Sequence, residues 1–131
     1  MTIKLHRDRR RGLYLGDLME PLILKQKHED MMLYGYSCLR QFPKSEKHTL
    51  SAEIRLSMYE IDKYIIRAHK RYFKKTTLQD LDIEIAHLRT KVRLAKDLEF
   101  LPFNKYENWE KMIVELGRMV GGWLKNLPAG S

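Results

Sequence analysis

The residues of this chain whose types and spacing suit chemistry are mostly cations, and they come in two rows. Between Lys63 and Lys75 lie Lys63, Arg67, Lys70, Arg71, Lys74 and Lys75, with no acidic residue among them. On a helix Lys63, Arg67, Lys70 and Lys74 step by four, three and four, which makes one outward stripe about 16 Å long at about 1.5 Å per residue. Such a stripe can track a phosphate backbone; it can equally be a solvated helix face. Arg89, Arg93 and Lys96 form a second row beside an apolar seam, near enough for their stems to pack while the charged heads reach out. Cations late in a helix also offset its dipole, so a structural use stands next to the phosphate reading. The planar donor fork of arginine suits phosphate better than a solvated ammonium does.

Other chemistries find less support. Glu84-Ile-Ala-His87 has the Glu-x-x-His spacing of di-iron bundles, but such centres need two copies plus further inward carboxylates, and the chain has one. Both residues also fall off the neighbouring apolar seam. His6, His28, His48 and His69 show no ligand spacing, and Cys38 has no evident base partner. A phosphate-binding glycine loop, a dinucleotide fingerprint and a serine nucleophile elbow are missing. No metal, cofactor or catalytic residue is therefore expected. Tyr34, Tyr36, Tyr59, Tyr64 and Tyr72 mingle with basic residues, where they can stack on unpaired bases or anchor helix packing with the hydroxyl at the rim.

The elements that position these residues read as helices. At 131 residues and 44% hydrophobic, the chain has the size of one domain with a core that needs no disulfide or metal. Its single cysteine permits no internal bridge, no apolar run reaches a membrane span, and the N-terminal segment carries charges where a signal peptide needs an apolar stretch. A cytoplasmic setting without membrane contact is the expectation. The formal charge is +8, and the isoelectric point near 9.6 favours phosphate backbones or acidic protein surfaces as partners. About half of that excess sits in Met1–Gly12, where Lys4, Arg7, Arg9, Arg10 and Arg11 outnumber Asp8.

The apolar spacing predicts helices over about 20–42, 47–72, 77–98 and 105–127, with a basic arm at 1–19 and a tail at 128–131. Pro21 suits a first turn and Pro43 closes the first helix, whose core candidates are Leu24, Met31, Met32, Leu39 and Phe42. Gly35 and Cys38 would let a neighbour approach. The second helix aligns Ile54, Met58, Ile61, Ile65, Ala68 and Tyr72 on one seam. The third aligns Leu78, Leu81, Ile85, Leu88, Val92 and Ala95, with Thr77 as cap and Asp80 answering it. Asn104 and Glu107 play the same parts for the fourth, whose seam is Trp109, Ile113, Leu116, Val120, Trp123 and Leu127. Short polar links favour antiparallel neighbours, hence an all-α, up-down four-helix bundle. The last helix also contains Gly117, Gly121 and Gly122, each unfavourable by roughly 1 kcal/mol against alanine. They suggest close approach, either within the bundle or to another subunit.

Two stretches carry a resemblance. Phe42-Pro43-Lys44-Ser45-Glu46-Lys47-His48-Thr49-Leu50-Ser51-Ala52-Glu53-Ile54-Arg55 resembles the first inter-helix turn of a bacterial four-helix-bundle family first noticed in ribosomal RNA intervening sequences, with its Phe-Pro turn, glutamate and Ile-Arg pair in that order. Within that family, Glu115-Leu116-Gly117-Arg118-Met119-Val120-Gly121-Gly122-Trp123-Leu124 is similar to the Avd (accessory variability determinant) proteins of diversity-generating retroelements. Arg89 and Arg93 repeat an Arg-x-x-x-Arg spacing found in the same branch. The wider family often follows Ile-Arg with Ser-Ile-Pro-Ser-Asn, whereas this chain continues as uninterrupted helix from Leu56, which favours the Avd branch. The likeness covers about residues 20–127, and the arm before Glu20 has no counterpart in it.

The resemblance, and not the residue spacing, implies a basic, barrel-like homopentamer. It implies binding to the reverse transcriptase of a retroelement and to template RNA, and possibly DNA, in support of mutagenic copying, with no catalysis by the bundle itself. Lys63, Arg67, Lys70, Arg71, Lys74, Arg89, Arg93 and Lys96 are then the expected nucleic-acid-binding residues. Gly117, Gly121 and Gly122 are the expected oligomer or partner interface. The alternative is a stand-alone four-helix-bundle structural or protein-interaction module without a retroelement.

Overall fold

A computed structural model describes the backbone of residues 15–130 and the side chains of 21–130. Residues 1–14 of the basic arm, His6 among them, lie outside the described residues, whereas residues 15–19, expected in the arm, belong to the first helix. Four helices follow one another: α1 (Leu15–Leu39), α2 (Leu50–Lys70), α3 (Lys75–Asp97) and α4 (Phe103–Lys125), with one short 3-10 turn at Lys44–Glu46 between α1 and α2. There is no strand among the described residues.

The helices pack as a square, α1 against α2 and α4, α3 against α2 and α4. Cross-helix pairs show that each neighbour runs the opposite way. Lys25 meets Asp62 while His28 meets Met58 across α1 and α2. Ser57 meets Glu84 while Glu53 meets Lys91 across α2 and α3. Across α3 and α4, Arg89 reaches Glu110 and Ile85 faces Gly117. Across α1 and α4, Met31 accepts from Trp109 while Tyr34 lies under Lys105.

The seams read from spacing form the core. Leu24, Met31, Ile54, Met58, Ile61, Ile65, Leu78, Leu81, Leu88, Val92, Ile113 and Leu116 are all but sealed from solvent. Trp109 occupies the middle of the bundle at 0% exposure, its Nε1–H donating to Met31 Sδ at 3.3 Å. Gly35 makes room for it: a Cβ there would lie 2.9 Å from both Met58 Sδ and Trp109 Cζ2. Trp123, Leu127 and Met32 are only partly buried, against the edge of the core.

Helix ends depart from expectation in instructive ways. α1 starts at Leu15, so Pro21 sits within it, not in its first turn, and ends at Leu39, after which Gln41 and Phe42 donate one turn back in 3-10 fashion. α2 starts at Leu50, because Pro43 is extended and Lys44–Glu46 coils as a 3-10 turn; Thr49 Oγ1 donates to Glu46 Oε1 at 2.7 Å. α3 begins at Lys75, two residues before Thr77, whose side chain is buried and makes no cap bond. Pro102, extended at φ −62° and ψ 151°, sets the start of α4 at Phe103, so Asn104 lies inside the first turn and does not cap it. α3 closes with Phe100 N–H donating to Ala95 O and Glu99 N–H to Lys96 O, both at 2.9 Å, which is a Schellman closure. Its left-handed position is held by Glu99 at φ 63°, where glycine is the usual occupant.

Sequence spacing also missed a polar seam between α2 and α3. Lys91 Nζ donates to Ser57 Oγ at 2.7 Å, and Ser57 Oγ donates to Glu84 Oε2 at 2.8 Å. Lys91 pairs with Glu53 Oε1 at 3.5 Å as well. Because each group answers another across the two helices, a slide of α2 past α3 would strand buried polar atoms.

Candidate nucleic-acid interface

α2 positions the first cationic row, and its stripe is shorter than the spacing suggested. The helix ends at Lys70, with Arg71 extended at ψ 148° as its cap, so only Lys63, Arg67 and Lys70 share the outward helical face. Lys63 pairs with Glu60 at 3.0 Å, one turn before the acid-free stretch, while Lys63 and Arg67 both lie over the Tyr64 ring. Lys70 and Arg71 are exposed.

Lys74 leaves the stripe altogether. Its ammonium folds back under the end of α2 and donates to the carbonyls of Ala68, His69 and Arg71. A cation at a helix C-terminus answers both the unpaired carbonyls and the dipole. Burial there pushes the Lys74 pKa below the ordinary lysine value. Tyr72, placed on the core seam by spacing, lies past the end of the helix and is 86% exposed.

α3 and α4 position the second row along a groove between them. Arg89 and Arg93 line it from α3, and Arg118 joins them from α4; Gly117 and Val114 lie between. Spacing along α3 found the first two but not Arg118, because the cluster forms only when α4 docks antiparallel. The three arginines differ in their partners. Arg89 grips Glu110 Oε2 through Nε and a terminal nitrogen, both at 2.8 Å, and this pairing raises its pKa. Arg118 forks onto both oxygens of Glu115 at 3.0 and 2.6 Å, which holds the Glu115 carboxyl below its ordinary value. Arg93 is exposed and makes no ion pair among the described residues. Asp82 stands at the same groove. Lys96 is set apart from it, paired with Asp97 at 2.9 Å and lying 5.1 Å from the centre of the Tyr106 ring.

The glycines of α4 do not serve contacts within one chain. A Cβ at Gly117 would meet Ile85 Cγ2 at an ordinary 3.7 Å, and at Gly121 or Gly122 it would meet nothing within 4 Å. Among the described residues the close-packed glycine is Gly35, on the first helix. Gly121 and Gly122 instead leave a bare strip of backbone on the outer side of α4.

His28 is completely buried on α1, its Nε2 2.8 Å from Met58 O, and desolvation lowers its pKa below the ordinary histidine value. Glu84 and His87 stand 3.8 Å apart, Glu84 engaged by Ser57. Among the described residues no group of three or more His, Cys, Asp or Glu side chains is placed to hold a metal ion. No described helix is long and apolar enough to cross a membrane.

No curated protein and no solved structure gives a significant match to the chain. A family profile described as bAvd-like does match, over residues 22–127. That span takes in most of α1, all of α2, α3 and α4, and both cationic rows. The chain therefore belongs to the bAvd-like family.

Proposed function

We propose that this protein is a non-catalytic accessory factor of a diversity-generating retroelement, a homopentameric basic scaffold that brings template RNA to a reverse transcriptase. The observation that carries the reading is the bAvd-like match across the bundle. The +8 charge and the exposed cations at Lys70, Arg71 and Arg93 agree with it.

The mechanism is electrostatic and geometric. Each subunit supplies a few phosphate contacts, from the α2 face and from the α3–α4 groove. Repeating them around a ring turns weak contacts into usable affinity, because linked sites raise the effective concentration. The open strip at Gly121 and Gly122 supplies a surface for a neighbouring subunit. Arg89 and Arg118, already facing carboxylates, would exchange one anion for another on binding, whereas Arg93 offers its fork directly. Reverse transcription itself belongs to the partner.

Light scattering tests the assembly: the purified protein should run near five times 15.7 kDa. Binding is tested by co-purification with the reverse transcriptase of the proposed retroelement and by RNA affinity against salt. The log-log salt plot should be linear, each lost phosphate contact lowering its slope by about 0.7 for single strands. A monomer at micromolar concentration, with no affinity for RNA or for the polymerase, would leave the stand-alone bundle as the better reading.

A further inference from the structure

We infer that the turn joining α2 to α3 is a stacking site for unpaired bases of single-stranded nucleic acid, with Tyr72 and Phe73 as its platform. This deepens the nucleic-acid part of the proposed function and rests on it.

Tyr72 and Phe73 are 86% and 64% exposed, and neither belongs to the buried core. Two adjacent aromatic rings so exposed bury little apolar surface for the fold. They are nonetheless ordered against each other, edge to face, with centroids 4.8 Å apart and planes at 88°. In that arrangement one ring contributes only its edge, so its flat faces stay open to a third aromatic group.

The turn beneath them is braced. Lys74 donates to three carbonyls at the end of α2, and Arg71 N–H donates to Arg67 O at 2.9 Å. A platform fixed in advance loses less freedom when a ligand arrives. The charge that flanks it in the chain is of one sign only. Between Lys63 and Gln79 the chain has six lysines and arginines and no acid, and Lys70, Arg71 and Lys75 are all exposed. Cations beside open ring faces match the two parts of a nucleotide, phosphate and base. Stacking accepts any base but needs it unpaired, because a duplex hides the base faces. An anionic lipid surface shares the charge argument. Rings set at right angles, however, offer a flat face to a base and do not form a continuous apolar wedge.

The test uses the full chain and single-stranded RNA carrying 2-aminopurine, against a duplex of the same length. Wild type should quench 2-aminopurine and prefer the single strand. The Tyr72→Ala, Phe73→Ala double variant should lose the quenching and roughly tenfold or more in single-strand affinity. Its duplex affinity and far-UV circular dichroism should not change. Tyr72→Phe, which keeps the ring, should retain the quenching. If the folded double variant binds single strands as wild type does, the stacking site is wrong while the phosphate reading stands. If wild type binds neither RNA, both fail. Loss of binding to phosphatidylserine vesicles with RNA affinity intact would overturn the inference in favour of a lipid surface.

Discussion

Replacing Gly35 and Gly121 by alanine, one at a time, should move stability in opposite directions although both lie inside helices. A Cβ at Gly35 would stand 2.9 Å from Met58 Sδ and 2.9 Å from Trp109 Cζ2. The Met58 thioether can swing away. The Trp109 ring cannot follow easily, being fully enclosed and held through Nε1 to Met31. Overpacking of this kind costs about 1–3 kcal/mol, and removing a helical glycine returns about 1 kcal/mol. The net for Gly35→Ala is a loss of about 0–2 kcal/mol. At Gly121 nothing in the same chain lies within 4 Å, so within one subunit alanine there keeps the full gain of about 1 kcal/mol. The two variants should differ by about 1–3 kcal/mol in urea unfolding followed by circular dichroism, with a common m-value. Several protein concentrations are needed, because assembly ties stability to concentration. Finding Gly35→Ala as stable as Gly121→Ala would refute the packing argument. Gly121→Leu extends the same experiment: the helices should persist, while light scattering should show the proposed ring reduced to smaller species.

His28 makes stability depend on pH. Its pKa in the folded protein lies below the ordinary 6.5 because of burial, so the unfolded chain takes up the proton first. Stability should be full above about pH 6.5 and fall below it by at most about 1.4 kcal/mol per pH unit, and His28→Gln should flatten that limb of a urea-midpoint profile. Lys74→Ala should lower the thermal midpoint, since carbonyls at the end of α2 lose their donor at a net cost of about 1–2 kcal/mol. Arg93→Ala should weaken RNA binding while unfolding free energy stays within about 0.5 kcal/mol of wild type. Arg89→Ala should weaken binding and also cost up to about 1 kcal/mol in chemical denaturation, because Glu110 loses a half-exposed partner. Glu99→Gly should raise the melting temperature, relieving roughly 1 kcal/mol of left-handed backbone strain.

The helices and their inward faces were legible in the sequence because they depend on local spacing. Residues three and four apart share a helix face whatever the rest of the chain does, so the seams of α2 and α3 were read correctly from Ile54 to Ala68 and from Leu78 to Ala95. The resemblance at the Phe-Pro turn and the glycine-rich last helix pointed to the family whose profile matches residues 22–127. Helix ends were less legible, since prolines, a 3-10 turn and a Schellman closure decided them more than the hydroxyl and amide caps did. What only the tertiary structure decided is which cations remain available. Lys74 is drawn to carbonyls across a turn, Arg89 to a carboxylate 21 residues away, and Lys91 to Glu53 and Ser57 more than 30 residues away. No count of charges along the chain contains those pairings, because each requires two elements to dock first. The same docking brings Arg118 to the groove that Arg93 lines, reserves the tight glycine contact among the described residues for Gly35, and leaves Tyr72 in water past the end of the helix whose seam its spacing continued.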